Sequence, residues 1–132
     1  MSHSETADKI LLVDDSKMDR GKLVQILKEH GISHEILHAG NGEEAIALLE
    51  KEHQNVKLIC LDWQMPKMDG MEFMRQVTKN PQTASIPIIM VTASGSEEAQ
   101  KCARRVNPNL AGYVVKPFQH RTLMDIILTY LG

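Results

Sequence analysis

The chain has 132 residues, 42% of them hydrophobic and 24% charged, with a formal net charge of −2. That length suits one domain around one core, and that balance excludes a disordered chain. The near-neutral charge gives no basic field for direct nucleic-acid binding, and no apolar stretch approaches the roughly 20 residues of a membrane span. Residues 1–7 are polar, lack a signal-peptide core and read as a flexible N-terminal tail. Residues 8–132 read as a single domain, with no linker, repeat or low-complexity segment.

Strand-like and helix-like periods then alternate five times. Lys9–Val13 is an apolar strand, and Lys17–His30 places Leu23, Ile26 and Leu27 at helical spacing before Gly31 stops it. His34–His38 is a more polar strand. After the Asn41-Gly42 turn, Glu43–Glu52 puts Ala45, Leu48 and Leu49 on one helical face. Lys57–Leu61 is a continuous apolar strand, and Asp69 caps a helix through Lys79. Ile86–Val91 is the next strand, with Pro87 placed where no ladder hydrogen bond is needed. Ser96 opens a helix to Val106, Asn107-Pro108-Asn109 breaks it, Leu110–Val115 is the fifth strand, and Arg121–Leu131 is the last helix.

Strands separated by single helices predict an α/β domain with a parallel sheet and right-handed crossovers. Continuous apolar runs are strands buried on both faces, so the polar second strand belongs at an edge. The expected architecture is a doubly wound, five-stranded, flavodoxin-like sheet in the order 2-1-3-4-5 with five helices, whose ligand crevice lies between the first and third strands.

Four apolar runs end in polar groups that this sheet would gather at one edge: Asp14-Asp15, Asp62, Thr92 and Lys116. Three carboxylates in one crevice repel one another, by roughly 4 kcal/mol per pair about 4 Å apart at an effective dielectric near 20. A hard divalent cation removes that conflict, and Mg²⁺ suits oxygen ligands. Asp15 and Asp62 are the expected direct ligands, with the backbone carbonyl at Gln64, and Asp14 acting through water. Asp62 can also attack phosphorus to give an aspartyl phosphate. Lys116 then supplies a compact positive charge, Thr92 a hydroxyl, and Trp63 and Ala93 backbone N–H groups. Ser94 lines the entrance, and Pro117 suits a tight, cis-compatible turn after Lys116. Trp63 is either packed over a turn or a gate above the site.

The segments Asp14-Asp15, Asp62-Trp63-Gln64-Met65-Pro66-Lys67-Met68-Asp69-Gly70, Val91-Thr92-Ala93 and Tyr113-Val114-Val115-Lys116-Pro117-Phe118 resemble the response-regulator receiver domain, with single-domain chemotaxis regulators a close comparison. The resemblance spans about residues 8–131. It implies a cytoplasmic two-component signalling switch, whose Asp62 accepts a phosphoryl group from a histidine kinase or phosphotransfer protein. It implies Mg²⁺ at Asp14, Asp15 and Asp62, phosphate contacts from Thr92 and Lys116, and Tyr113 as the aromatic switch residue that follows Thr92 inward. The face built from the fourth helix, fifth strand and fifth helix would then change shape to control a downstream protein. Such a protein catalyses only its own phosphorylation and dephosphorylation. Gln64 departs from the family, where Asn is common.

The alternative is a metal-dependent phosphatase with an aspartyl nucleophile, which needs a nearby acid where this chain has Gln64. A flavin-binding protein would want a phosphate loop where Asp14-Asp15 stands. On the last helix, Met124 and Leu128 are spaced to face outward together, as a partner surface or a phosphorylation-linked homodimer contact, or else as a second buried contact. Cys60 and Cys102 read as reduced thiols, and His30, His34 and His38 as unrelated surface histidines.

Overall fold

A computed structural model describes residues 8–131; the tail expected over residues 1–7 and Gly132 lie outside the described residues. Five strands, β1 (Lys9–Val13), β2 (Glu35–Ala39), β3 (Val56–Leu61), β4 (Ile88–Thr92) and β5 (Gly112–Val115), form one parallel sheet in the order β2-β1-β3-β4-β5. The helices α1 (Lys17–Glu29), α2 (Gly42–Glu52), α3 (Gly70–Lys79), α4 (Glu97–Val106) and α5 (His120–Leu131) alternate with them, and a 3₁₀ turn (His53–Asn55) precedes β3. The expected fold class and strand order are those observed. β2 is at an edge, as its polar pattern requires.

Alternation along each strand splits the core into two layers. Leu11, Val13, Ile59 and Leu61 pack with Phe73, Met74 and Leu49 under α2, α3 and α4. Ile10, Leu12, Leu58 and Cys60 pack with Leu23, Ile26 and Leu123 under α1 and α5. Full burial pushes the Cys60 thiol up to about 12, so it behaves as a small apolar group.

Several element bounds shift by one or two residues, β5 starting at Gly112 rather than Leu110, and two differences bear on function. β4 starts at Ile88, because Pro87 has no N–H for the ladder; its carbonyl accepts from Ile59 N at 3.0 Å. The strand therefore runs through Thr92 and carries it into the sheet. Met124 does not face outward. It is 2% exposed and packs against the α1–α5 layer, whereas Leu128 is 48% exposed. Met124 follows Leu123 and precedes Ile127 by three residues, which puts it inside the same buried stripe. Leu128 lies just past that stripe.

Candidate functional site

Strand register brings the polar ends together. Val13 pairs with Leu61, so the next residues, Asp14 and Asp62, are neighbours. The Asp62 N–H donates to Val13 O at 2.9 Å and the Asp14 N–H to Ala39 O at 3.0 Å, so both residues extend the ladder. Thr92 pairs with Val115, and the Lys116 N–H donates to Thr92 O at 2.8 Å. Asp14, Asp62, Thr92 and Lys116 thus leave adjacent strands at one sheet edge, at the crevice expected for a doubly wound sheet.

Lys116 is the electrostatic hub. Its Nζ donates to Asp14 Oδ2 and Asp19 Oδ2, both at 2.8 Å, and lies 3.4 Å from Asp62 Oδ2. Burial works against its charge, but the Asp14 and Asp19 hydrogen bonds outweigh burial and raise its pKa. Asp14 is 3% exposed, and burial raises its pKa against the opposing pull of Lys116. Its Oδ1 accepts from Ser16 N at 2.9 Å, and its carbonyl accepts from the buried Arg20 guanidinium at 3.3 Å. The pKa of Asp19 is lowered, chiefly by its hydrogen bond from Lys116.

Asp62 Oδ1 accepts from the Trp63 N–H at 2.7 Å, so the backbone expected to serve a phosphoryl oxygen already serves the carboxylate. The connection beyond is held against α3. The Gly70 N–H donates to Trp63 O at 2.7 Å, and a Cβ at Gly70 would sit 2.3 Å from Asp62 O. Only glycine permits that approach. The Trp63 ring is half-buried and packs on the α2–α4 core layer, which favours packing over gating. Gln64 is exposed.

Asp14, Asp15 and Asp62 each place a carboxylate oxygen within 4.8 Å of the others, and they are the group of metal-capable side chains among the described residues. His30, His34 and His38 do not form one. At that separation two carboxylates repel by about 3–4 kcal/mol at a dielectric near 20. An all-oxygen set whose most buried member has a raised pKa fits a hard divalent cation.

Across the crevice, Thr92 is 1% exposed and its Oγ1 accepts from Ser94 N at 3.2 Å. The Tyr113 hydroxyl donates to Ser94 O. Ser94 therefore ties Thr92 on β4 to Tyr113 on β5. Ala93 is exposed, and Lys116–Pro117 is a cis peptide, as the sequence allowed.

Sequence reading missed Asp19. A Ser16-Lys17-Met18-Asp19 segment is sufficiently explained as a helix start, and Ser16 does cap α1, accepting from Asp19 N at 3.1 Å. The available signal was position. Asp19 is one turn beyond Asp14-Asp15 on the helix that leaves the crevice. Among the described residues no helix is long and apolar enough to cross a membrane.

The model of the response regulator receiver domain matches residues 10–128. The chain is 36% identical to Protein PilH of Pseudomonas aeruginosa over 94% of this chain and 98% of that protein. It is also 36% identical to a chemotaxis protein CheY homolog of Campylobacter jejuni, over 94% of this chain and 92% of the homolog. A solved CheX–CheY–BeF₃–Mg²⁺ complex from Borrelia burgdorferi superposes with a TM-score of 0.80 and 25% identity, over 94% of this chain and 89% of the matched one. Matched over most of its length by the family model and by relatives 36% identical, the chain belongs to the response-regulator receiver family, the phosphorylation-activated switches of two-component signalling.

Proposed function

We propose that Asp62 is the phosphoacceptor, and that Thr92, Tyr113 and Lys116 read its phosphorylation. The observation that carries this is the convergence of Asp62 with Lys116 and two further carboxylates at one sheet edge. Asp14, Asp15 and Asp62 would hold Mg²⁺, with the Gln64 backbone carbonyl completing the protein ligands. Bound there, the ion offsets charge on the phosphoryl oxygens.

The reaction needs little beyond positioning. The Trp63 N–H and the Lys116 ammonium orient the two Asp62 oxygens. A carboxylate oxygen forms a bond to phosphorus as the phosphorus–nitrogen bond of a donor phosphohistidine breaks, and the leaving imidazole takes up a proton. In dephosphorylation, water attacks phosphorus, the Asp62 carboxylate leaves, and inorganic phosphate departs. The protein thus catalyses only its own phosphorylation and dephosphorylation.

Readout follows from the Thr92–Ser94–Tyr113 chain. A phosphoryl oxygen that takes the Thr92 hydroxyl changes the segment whose Ser94 carbonyl holds Tyr113. Tyr113 then biases the α4–β5–α5 face. Phosphate shifts the population only by its differential affinity for the two arrangements, and a swing from 1:99 to 99:1 takes about 5.5 kcal/mol. Charge-assisted contacts from Thr92 and Lys116, at roughly 1.5–3 kcal/mol each, supply much of it. The partners of this cytoplasmic switch are a histidine kinase or phosphotransfer protein upstream and a protein target downstream.

The phosphatase alternative finds no support: the exposed Gln64 side chain cannot protonate a leaving group, and the matched family is the response regulator receiver domain, with a chemotaxis protein among the relatives. Titration of Mg²⁺ and then beryllofluoride against Trp63 fluorescence tests the proposal. Saturable changes are expected, abolished by Asp62→Asn. Rapid turnover of small phosphate esters would favour the phosphatase instead.

A further inference from the structure

Lys116 has three N–H donors, and their allocation is uneven. Two short bonds of 2.8 Å run to Asp14 and Asp19, while the contact with Asp62 is 3.4 Å. Ser16 holds the Asp14 carboxylate, since its N–H donates to Asp14 Oδ1, but at Asp19 its Oγ caps only the backbone N–H and leaves the Asp19 carboxylate to Lys116. Asp14 belongs to the acidic group that a cation would draw on; Asp19 does not. Asp19 is therefore the anchor of Lys116 that a filled crevice leaves in place.

We propose that Asp19 is a positioning residue that holds the Lys116 ammonium toward α1 and restrains its transfer onto a phosphoryl group at Asp62. The proposal rests on the phosphoacceptor reading of Asp62. The Asp19 side chain is 35% exposed, against 5% for Asp14, and with Lys116 it lines a cleft of about 610 Å³ between α1 and the start of α5. Asp19 thus has solvent to turn to once it lets go, whereas Asp14 has little. Activation gives up the Asp19 bond to gain the phosphoryl contact. The anchor sets how much phosphoryl signal is needed to move Lys116.

The test uses the full chain at saturating Mg²⁺, with beryllofluoride as probe and Trp63 fluorescence as readout. Asp19→Asn should lower the half-saturating beryllofluoride concentration by roughly threefold to tenfold, the scale of one net hydrogen bond. Asp19→Glu should stay near the parent value. In a Lys116→Met background, Asp19→Asn should have no effect. A gain that persists there would show a plain loss of negative charge and overturn the positioning role. So would an unchanged or raised half-saturation for Asp19→Asn. A second readout needs neither metal nor phosphoryl analogue: in ¹⁵N-lysine NMR of the metal-free protein, Asp19→Asn should shift the Lys116 ammonium signal and speed its exchange with water. An unchanged signal overturns the proposal even where Lys116→Met fails to bind the probe. A parent protein that ignores beryllofluoride, or an Asp62→Asn variant that still responds, overturns the phosphoacceptor reading itself. A responsive parent with an indifferent Asp19→Asn removes only the Asp19 role.

Discussion

Replacing Lys116 with Met keeps the stem and removes the ammonium that faces three carboxylates. Taking one partner from a buried ion pair costs about 3–5 kcal/mol, because the other charge is left unpaired. Here only Asp14 is deeply buried, at 5% side-chain exposure; Asp62 is at 15% and Asp19 at 35%, and both are partly screened by water. Asp14 also keeps the Ser16 N–H and can take up a proton. The expected loss in the metal-free protein is therefore smaller, about 2–3 kcal/mol. The same substitution frees the acidic group for a cation. A unit charge about 4 Å away is worth roughly 4 kcal/mol at a dielectric near 20, so even strong screening should leave at least about a tenfold gain in Mg²⁺ affinity. Ligand that binds only the folded state adds RT ln(1 + [L]/Kd) to stability, so about 10 mM Mg²⁺ should restore about 1 kcal/mol more to Lys116→Met than it adds to the parent. Urea unfolding followed by Trp63 fluorescence and circular dichroism, in chelator and in Mg²⁺, measures both quantities. Parent-like stability in chelator, or an equal Mg²⁺ increment in the two proteins, would refute the electrostatic hub.

Gly70→Ala should cost about 1–3 kcal/mol and perturb Trp63 fluorescence, because its Cβ collides with the Asp62 carbonyl. Gly21→Ala, inside α1 with nothing within 4 Å of its Cβ, should raise stability by about 0.5–1 kcal/mol in the same urea assay. Met124→Ser should destabilise by about 2–4 kcal/mol, and Leu128→Ser by less than about 0.5, as thermal unfolding would show. If the exposed Leu128 serves association, its loss weakens dimerisation of the beryllofluoride form in sedimentation while the fold survives. Lys116 carries a raised pKa, so its contribution is fully present below its unfolded value near pH 10.4 and is lost as pH climbs through the folded value. Melting temperature should therefore fall more steeply above about pH 10.4 in the parent than in Lys116→Met.

The sheet was legible because parallel strands impose one rule on many residues. Apolar runs such as Leu58–Leu61 and Ile10–Val13 are buried on both faces, and each ends in a polar group at the same edge. Asp14, Asp62, Thr92 and Lys116 could be found from that rule alone. Helices carry less positional information. Leu123, Met124, Ile126, Ile127 and Leu128 crowd α5 with apolar residues, so spacing does not fix which side faces in, and only the packing of α5 into the layer that holds Leu23 and Ile26 places Met124 inside. Asp19 was hidden for a different reason. An acid in the first turn of a helix is satisfied locally by its backbone and the helix dipole, and nothing in the sequence reveals a lysine 97 residues away. Ser94 was likewise visible only as a small residue near the entrance. Its role as the link from Thr92 to Tyr113 depends on backbone atoms, which residue identity does not report.

The most direct test of the central claim is chemical trapping of the acyl phosphate. The protein is incubated with Mg²⁺ and acetyl phosphate or a phosphohistidine donor, reduced with borohydride, cut after lysine and mapped by mass spectrometry. The peptide Leu58–Lys67 contains a single aspartate, so reduction at Asp62 is unambiguous. Conversion of Asp62 to homoserine, dependent on Mg²⁺ and lost in Asp62→Asn, is the predicted result. Trapping at Asp14, Asp15 or elsewhere, or label that persists in Asp62→Asn, would contradict it.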